Sequence, residues 1–168
     1  MLGPASEVQA ELMGIPSFET PDYSELFAEE KEMIGKLKKA FLMVAGGAVQ
    51  KYGPDLDGHQ QLLMAAADIL IEIYMAESTI LRTEKLAKTK GEAAVKEQIA
   101  MAQLYLYKAV DIITQKGKEG IVSFAEGDEQ RMMLMGLRRY TKYTNMPNVI
   151  GLREIITSKL VAENAYCF

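Results

Sequence analysis

The chain has 168 residues, of which 49% are hydrophobic and 25% charged, which is the profile of a globular domain and not of a disordered segment. Its net charge of −4 argues against a nucleic-acid binder, because phosphate contacts require a basic excess. One cysteine and one histidine exclude an internal disulfide and leave few soft metal ligands. Without a signal-like start or a long uncharged apolar run, we expect a cytoplasmic protein with no transmembrane span.

The beginning of the chain is markedly acidic. Residues 1–35 contain eight carboxylates and one lysine, whereas residues 36–168 contain 15 acidic and 18 basic residues. Ser6 and Gln9 fit a capping box that predicts a short helix over residues 7–13, and two prolines indicate a linker over residues 14–24. We therefore expect an acidic leader or linker with a short helix over residues 1–24, followed by a helical bundle domain over residues 25–168. The leader either lies over that domain or a neighbour, or is solvated.

The first long helix is predicted from about residue 25, with Ser24 as its N-cap, to Tyr52. Two adjacent glycines, Gly46 and Gly47, lower its helix propensity by about 1–2 kcal/mol, which is tolerated where another helix approaches closely. Neither glycine belongs to a phosphate-binding motif. Apolar residues at three- and four-residue steps predict a buried stripe of Ile34, Leu37, Phe41, Val44, Ala45, Ala48 and Tyr52.

The second long helix is predicted over residues 57–90, where no proline interrupts the pattern, and Gly91 ends it. At 1.5 Å per residue, it is roughly 50 Å long. Its predicted buried stripe consists of Leu62, Ala66, Ile69, Ile73, Ala76, Ile80 and Leu81.

The last third of the chain predicts three further helices. The first covers residues 92–116 and is broken by Gly117 and Gly120. A capping box at residues 123–126 opens the next, which runs to Tyr143, and a turn precedes a final helix over residues 148–163. One face of the first of these helices carries Ile99, Ala102, Leu106, Val110 and Ile113, and the final helix is defined by Leu152, Ile155, Ile156 and Leu160. No segment alternates with period two, so the predicted fold class is all-α: an up-down bundle of three long helices plus two shorter C-terminal helices.

Two carboxylates are the first candidates for a chemical site. The Glu-x-x-His motif of di-iron bundles is absent, since His59 is the only histidine. Asp68 and Glu72, however, lie four residues apart on one face of an apolar helix and could hold a metal or form a general acid/base pair. They lie away from the predicted buried stripe, so a solvated polar stripe is the alternative.

Three other features have both a functional and a structural interpretation. Cys167 near the C-terminus lacks the surroundings that activate a thiol. The basic residues Arg138, Arg139 and Lys142 could meet an acidic lipid, a coenzyme phosphate or an acidic partner, or could simply be solvated. A group of methionines could form an adaptable binding surface or fill the core; it consists of Met132, Met133 and Met135 with Met64, Met75 and Met101.

Four segments carry a resemblance to a known family: residues 2–12, FLMVAGGAVQKYG at residues 41–53, AAADILIEIYMAESTILRTEKL at residues 65–86, and TNMPNVIGLREIITSKLVAENAYCF at residues 144–168. They resemble bacterial acyl-CoA dehydrogenases that have an extra C-terminal helical domain, in a layout similar to the very-long-chain type. The resemblance implies that FAD and the catalytic glutamate, usually in a Glu-Gly-Thr-Asn segment, lie upstream of the matched region. The Glu126-Gly127-Asp128-Glu129 segment lacks the Thr-Asn pair, so no catalytic, cofactor-binding or metal-binding residue is transferred to this chain.

We therefore expect a C-terminal non-catalytic domain of an FAD-dependent acyl-CoA dehydrogenase, a fragment of an enzyme that dehydrogenates fatty acyl-CoA at C2–C3. The implied partners are the catalytic core of the parent enzyme and a homodimer mate. The resemblance also suggests a membrane contact, for which the mildly amphipathic helix over residues 152–160 is the only sequence support. The alternatives are a free-standing helical interaction module with no enzymatic parent and a metal-binding bundle that uses Asp68 and Glu72.

Overall fold

The computed structural model describes residues 3–13 and 23–168, and this part of the chain contains α-helices and two short 3-10 helices but no strand. The prediction of an all-α fold is confirmed. Short 3-10 helices at Gly53–Gly58 and Glu92–Val95 connect the long helices. In chain order the α-helices are α1 (Gly3–Met13), α2 (Ala28–Tyr52), α3 (Gln60–Lys90), α4 (Lys96–Phe124), α5 (Gly127–Tyr140) and α6 (Val149–Glu163).

The three long helices α2, α3 and α4 pack against one another and enclose the core. Leu37, Ile80 and Ile113, one from each helix, are completely buried. A second group of buried residues lies where α5 packs against α2 and α4 and includes Phe124 and Leu137. Two helices lie outside this arrangement, because α1 packs on α2 and α6 packs on α4.

The predicted buried stripes are largely confirmed. On α2 and α3, Ile34, Val44, Ile69 and Ile73 are all buried, as the three- and four-residue spacing requires. Leu81 is an exception, because it is 51% exposed. It follows the fully buried Ile80, and one step along a helix turns the side chain by about 100°, out of the core. The apolar residues that define the last helix are not buried either, since Ile155 and Leu160 are 41% and 37% exposed and Leu152 and Ile156 are half-buried.

The predicted break at Gly117 and Gly120 is wrong, since α4 continues through both to Phe124. Both glycines are buried in helix contacts. A Cβ atom at Gly117 would lie 2.8 Å from Cδ1 of Leu137 on α5, and one at Gly120 would lie 3.1 Å from Cγ1 of Val44 on α2. The glycines therefore permit close packing of neighbouring helices, and this packing offsets their poor helix propensity.

The predicted helix starts are the least accurate part of the sequence interpretation. Ser24 does not cap α2, which begins after Phe27 in a left-handed backbone conformation with φ of 64°. Ser6 and Ser123 are not N-caps either: each lies inside a helix and donates a hydrogen bond to the carbonyl three residues before it. The last helix has a side-chain cap, since the Gly151 N–H donates to Oδ1 of Asn148 over 3.1 Å.

The start of the chain lies over the bundle for the residues that the structure describes. Ala5 of α1 is buried so close to Gly46 of α2 that a Cβ atom at Gly46 would lie 2.5 Å from that of Ala5. Lys39 pairs with Glu11 over 2.7 Å. The predicted linker falls mostly on residues 14–22, which lie outside the described residues, so the division into residues 1–24 and 25–168 stays a prediction.

Candidate functional site

Asp68 and Glu72 each have a partner on the neighbouring helix α4. Lys116 lies 3.4 Å from Oδ2 of Asp68, and the Tyr105 hydroxyl donates a hydrogen bond of 2.9 Å to Oε2 of Glu72. Among residues 3–13 and 23–168, no group of three or more His, Cys, Asp or Glu side chains is placed to hold a metal ion. Both carboxylates therefore contribute to the contact between α3 and α4. This role differs from the two sequence interpretations, a metal site and a solvated polar stripe.

The Tyr105–Glu72 hydrogen bond changes the chemistry of the phenol. Burial, together with the hydrogen bond and the negative charge of Glu72, raises the pKa of Tyr105 to about 12. The phenol therefore stays protonated to a higher pH than an ordinary tyrosine does, and it acts as a hydrogen-bond donor. It joins α3 and α4 and is poorly suited to act as a base.

Glu97 is a buried carboxylate that the sequence interpretation missed. It lies in the first turn of α4 and is only 5% exposed, and Lys159 of α6 approaches its Oε2 atom to 3.5 Å. Lys96 lies 4.0 Å from the other oxygen. The three residues line an open groove of about 560 Å³ between α4 and α6. The helix dipole favours a carboxylate near the helix N-terminus, and the ion pair with Lys159 connects the start of α4 to α6.

A smaller cavity of about 150 Å³ lies beneath the segment that connects α5 and α6. Gln103 donates a 2.7 Å hydrogen bond to Glu30, and Asn145 donates two to Glu29. The buried hydroxyl of Tyr143 has no hydrogen-bond partner within the described part of the chain, and burial raises the pKa of this phenol far above its usual value. The cavity is smaller than typical ligand pockets of roughly 300–1,000 Å³, so it does not suit a coenzyme.

His59 and Cys167 lie in unrelated places. His59 immediately precedes α3, and its ring stacks on Tyr52 with the ring centroids 3.5 Å apart. Cys167 is half-buried in the segment after α6. The structure therefore does not bring the single histidine and the single cysteine together as a nucleophile and its base.

The methionines divide between the core and the surface. Met133 is buried between α5 and the bundle, as the core-filling interpretation predicts. Met64, Met75, Met132 and Met135 are instead between 42% and 68% exposed. For these four residues the core-filling interpretation is wrong, and the adaptable binding surface stays a prediction. Met101 is half-buried.

The basic residues of the patch lie near the C-terminal end of α5. Arg138 and Arg139 lie in its last turn, where the helix dipole favours positive charge, and Lys142 follows the helix. The Arg139 guanidinium donates to the backbone carbonyl of Glu11 on α1 over 3.5 Å. Arg139 therefore contributes to the contact with α1, while all three side chains remain exposed.

Helix α3 has an apolar face that points away from the core. Its central residue, Tyr74, is 67% exposed. Ser78 is the only polar residue that falls within the stripe, and it is uncharged. We call this surface the α3 outer face and define it by six exposed residues: Leu63, Ala67, Leu70, Ile71, Tyr74 and Leu81.

Comparison with known proteins identifies the family of the chain. A family model of the acyl-CoA dehydrogenase C-terminal domain matches residues 36–139, which extend from α2 to the end of α5. The chain belongs to the acyl-CoA dehydrogenase C-terminal domain family. The resemblance inferred from the four sequence segments is thereby confirmed.

Two relatives of this acyl-CoA dehydrogenase domain show how much of a longer protein it matches. A probable acyl-CoA dehydrogenase of Bacillus subtilis is 36% identical over 159 residues, which cover 95% of this chain and 26% of that protein. The crystal structure of an acyl-CoA dehydrogenase complexed with FAD from Bacillus anthracis has a TM-score of 0.86 and 36% identity, covering 98% of this chain and 27% of that chain. The chain thus spans about a quarter of the length of these relatives.

Two structural observations bear on the expectations that the resemblance raised for this acyl-CoA dehydrogenase domain. The Glu126-Gly127-Asp128-Glu129 segment forms the start of α5, where Gly127 has φ of 57° and Glu126 is exposed. This segment therefore has a local role in the turn between α4 and α5. Within the described residues, no helix is long and apolar enough to cross a membrane.

Proposed function

We propose that this chain is the C-terminal, non-catalytic helical domain of an FAD-dependent acyl-CoA dehydrogenase that dehydrogenates fatty acyl-CoA at the C2–C3 bond. The observation that carries the proposal is the coverage of the relatives. Similarity extends over 95% of this chain but only 26% of the Bacillus subtilis protein. The remaining three quarters of such an enzyme provide room for the catalytic machinery.

The cavities of this chain support the assignment of FAD to another part of the enzyme. Among the described residues, two cavities measure about 150 and 210 Å³, and the groove of about 560 Å³ beside α6 is open and lined largely by charged side chains. Organic cofactors usually occupy enclosed, mostly apolar pockets of roughly 300–1,000 Å³. These residues do not fit FAD, and we assign no step of flavin chemistry to them.

In the intact enzyme, the domain would pack on the catalytic core or on the core of a dimer mate. The three long helices enclose a core of buried side chains. A packed bundle of this kind can support a neighbouring surface without contributing a reacting group. We further propose that the enzyme is a homodimer located in the cytoplasm.

Isolation of the native protein tests this function. An antibody raised against this domain would be used to purify the native protein from its own cells, and its mass, its flavin spectrum and its acyl-CoA-dependent reduction of a dye would be measured. Because the chain spans 26% of the Bacillus subtilis relative, we expect a polypeptide of about four times 18.7 kDa that contains flavin. A flavin-free protein of 18.7 kDa would instead favour the free-standing interaction module.

The non-catalytic assignment has its own test. The 168-residue chain would be purified alone and assayed with FAD and acyl-CoA of several chain lengths. We expect no flavin retention and no oxidation of acyl-CoA. Turnover by this chain would contradict the assignment, whatever the mass of the native protein.

A further inference from the structure

The α3 outer face forms a continuous apolar stripe. Its six residues are spaced by steps of 4, 3, 1, 3 and 7 positions, which keeps them on one side of a helix with 3.6 residues per turn. From Leu63 to Leu81 the stripe extends about 27 Å at 1.5 Å per residue. Apolar surfaces of this extent on soluble proteins mark interaction sites, whereas single exposed apolar residues are common.

The opposite side of α3 is packed into the core of the bundle. Ile69, Ile73 and Ile80 are at most 3% exposed and face α2 and α4. The helix is therefore apolar on two sides, although the described residues cover only one of them. A helix of this type is expected between two layers of protein.

The other two long helices each have a second layer within the chain. Helix α1 packs on α2 through Ala5 and Gly46, and α6 packs on α4 through Lys159 and Glu97. Among the described residues, the substantial contacts of α3 are with α2, α4 and the two short 3-10 helices beside its ends. Within residues 3–13 and 23–168, the α3 outer face thus lacks the covering layer that the other long helices have.

Building on the function proposed above, we propose that the α3 outer face is the surface through which this domain packs on the catalytic part of the acyl-CoA dehydrogenase. The occupant follows from the length of the relatives, since about three quarters of each lies outside the region matched by this chain. Attachment in one polypeptide gives such a partner a millimolar effective concentration, which favours it over a free second copy.

The composition of the surface also favours a permanent partner. No charged residue belongs to the α3 outer face, and its centre is formed by Leu70, Ile71 and Tyr74. Permanent interfaces are more apolar than transient ones, and aromatic residues are enriched at their centres. We expect Tyr74 to insert between helices or strands of the catalytic part and to be buried in the intact enzyme.

Site-specific photo-crosslinking in the intact dehydrogenase tests the proposal. The photo-reactive amino acid benzoylphenylalanine would replace Tyr74 in one variant and Ile150 on α6 in the control, because these side chains are 67% and 68% exposed in this domain. After irradiation, peptide mass spectrometry would identify the crosslinked partner. We expect the Tyr74 position to link to a peptide of the catalytic part and the Ile150 position to give little or no such product.

Two crosslinking results would overturn the docking surface and leave the function intact. A link between Tyr74 positions of two copies would assign the surface to self-association. A link to the catalytic part from Ile150 but not from Tyr74 would place the docking surface on α6. If the native protein proves to have a mass of 18.7 kDa without flavin, the proposed function itself fails.

The isolated chain provides an independent measurement. We would compare the natural sequence with the double variant Leu70→Lys/Tyr74→Lys and with the control Ile150→Lys/Val161→Lys, using a dye that fluoresces on apolar surfaces and static light scattering. We expect an 18.7 kDa monomer whose dye fluorescence falls several-fold only in the α3 variant, with helical circular dichroism retained in all three. A dimer of twice that mass that the α3 variant dissociates, or unchanged fluorescence, would refute an exposed docking surface.

Discussion

Gly47 on α2 is the clearest position at which a single methyl group should disturb the packing of this domain. A Cβ atom at Gly47 would lie 2.8 Å from Cε of Met133 on α5, and 2.9 and 3.0 Å from two ring carbons of Phe124 on α4. The methionine tip can turn away, but the phenyl ring is buried and rigid. Gly35 on the same helix is a matched control, since a Cβ atom there would meet no heavy atom within 4 Å.

The two substitutions share one energetic contribution and differ in another. Gly→Ala in the interior of a helix stabilises the folded state by about 1 kcal/mol, so Gly35→Ala should be stabilising. At Gly47 the same gain is opposed by an overpacking cost of about 1–3 kcal/mol. The difference between the variants is therefore about 1–3 kcal/mol, and at roughly 2–4 °C per kcal/mol the Gly47→Ala protein should unfold about 2–12 °C below Gly35→Ala.

Thermal and urea unfolding monitored by circular dichroism would measure this difference. A cycle with Phe124→Leu identifies the cause, because the smaller side chain should relieve the crowding and reduce the penalty of Gly47→Ala. If Gly47→Ala raised the unfolding midpoint as much as Gly35→Ala, close approach of Phe124 would not be the reason for glycine at this position.

Two further predictions concern phenols and carboxylates. Tyr105→Phe should lower the free energy of unfolding by about 1 kcal/mol because it removes the hydrogen bond to Glu72, whereas Tyr143→Phe should be neutral or stabilising because that hydroxyl has no partner among the described residues. The pKa of Tyr105 in the folded protein is raised to about 12, so the natural protein should lose stability as the pH rises from about 10 to 12. Urea unfolding at several pH values in this range should show a smaller loss of unfolding free energy for Tyr105→Phe. Pairing with Lys31 lowers the pKa of Glu84 below its ordinary value of 4.5. The stability that the ionised Glu84 carboxylate contributes is therefore lost as the pH falls below 4.5. In acid, the free energy of unfolding of Glu84→Gln should start lower than that of the natural protein but decline less steeply as the pH falls.

The accuracy of the sequence-based fold depended on whether a signal was local. Regular apolar spacing located α2 and α3, and Gly53 and Gly91, both with positive φ, end them as predicted. Gly117 and Gly120 carry the same local signal but lie in the middle of α4. Their role depends on side chains from distant parts of the chain, Leu137 and Val44 among them, and a sequence window cannot reveal such partners.

The candidate site shows a second limit of the same kind. Helix α3 has apolar residues on both sides, so its periodicity alone does not decide which side faces the core, and Leu81 was assigned to the wrong one. Asp68 and Glu72 were recognised as neighbours on one helix, but their partners, Lys116 and Tyr105, lie on α4. Glu97 was missed because a single acidic residue at a helix start is ordinary, and only the approach of α6 makes it a buried charge.

The two apolar sides of α3 make folding and docking experimentally separable. Ile73 and Ile80 are buried in the core on one side of α3, while Ile71 and Tyr74 are exposed on the other side. Substitution of an exposed residue changes stability little unless it disturbs the interior, so charges on the α3 outer face should leave the fold intact. Packing variants such as Gly47→Ala should instead lower stability and leave the α3 outer face unchanged. A protein that loses its contact with the catalytic part while keeping its unfolding midpoint would therefore place docking on the α3 outer face, and one that loses both would show that this face also contributes to folding.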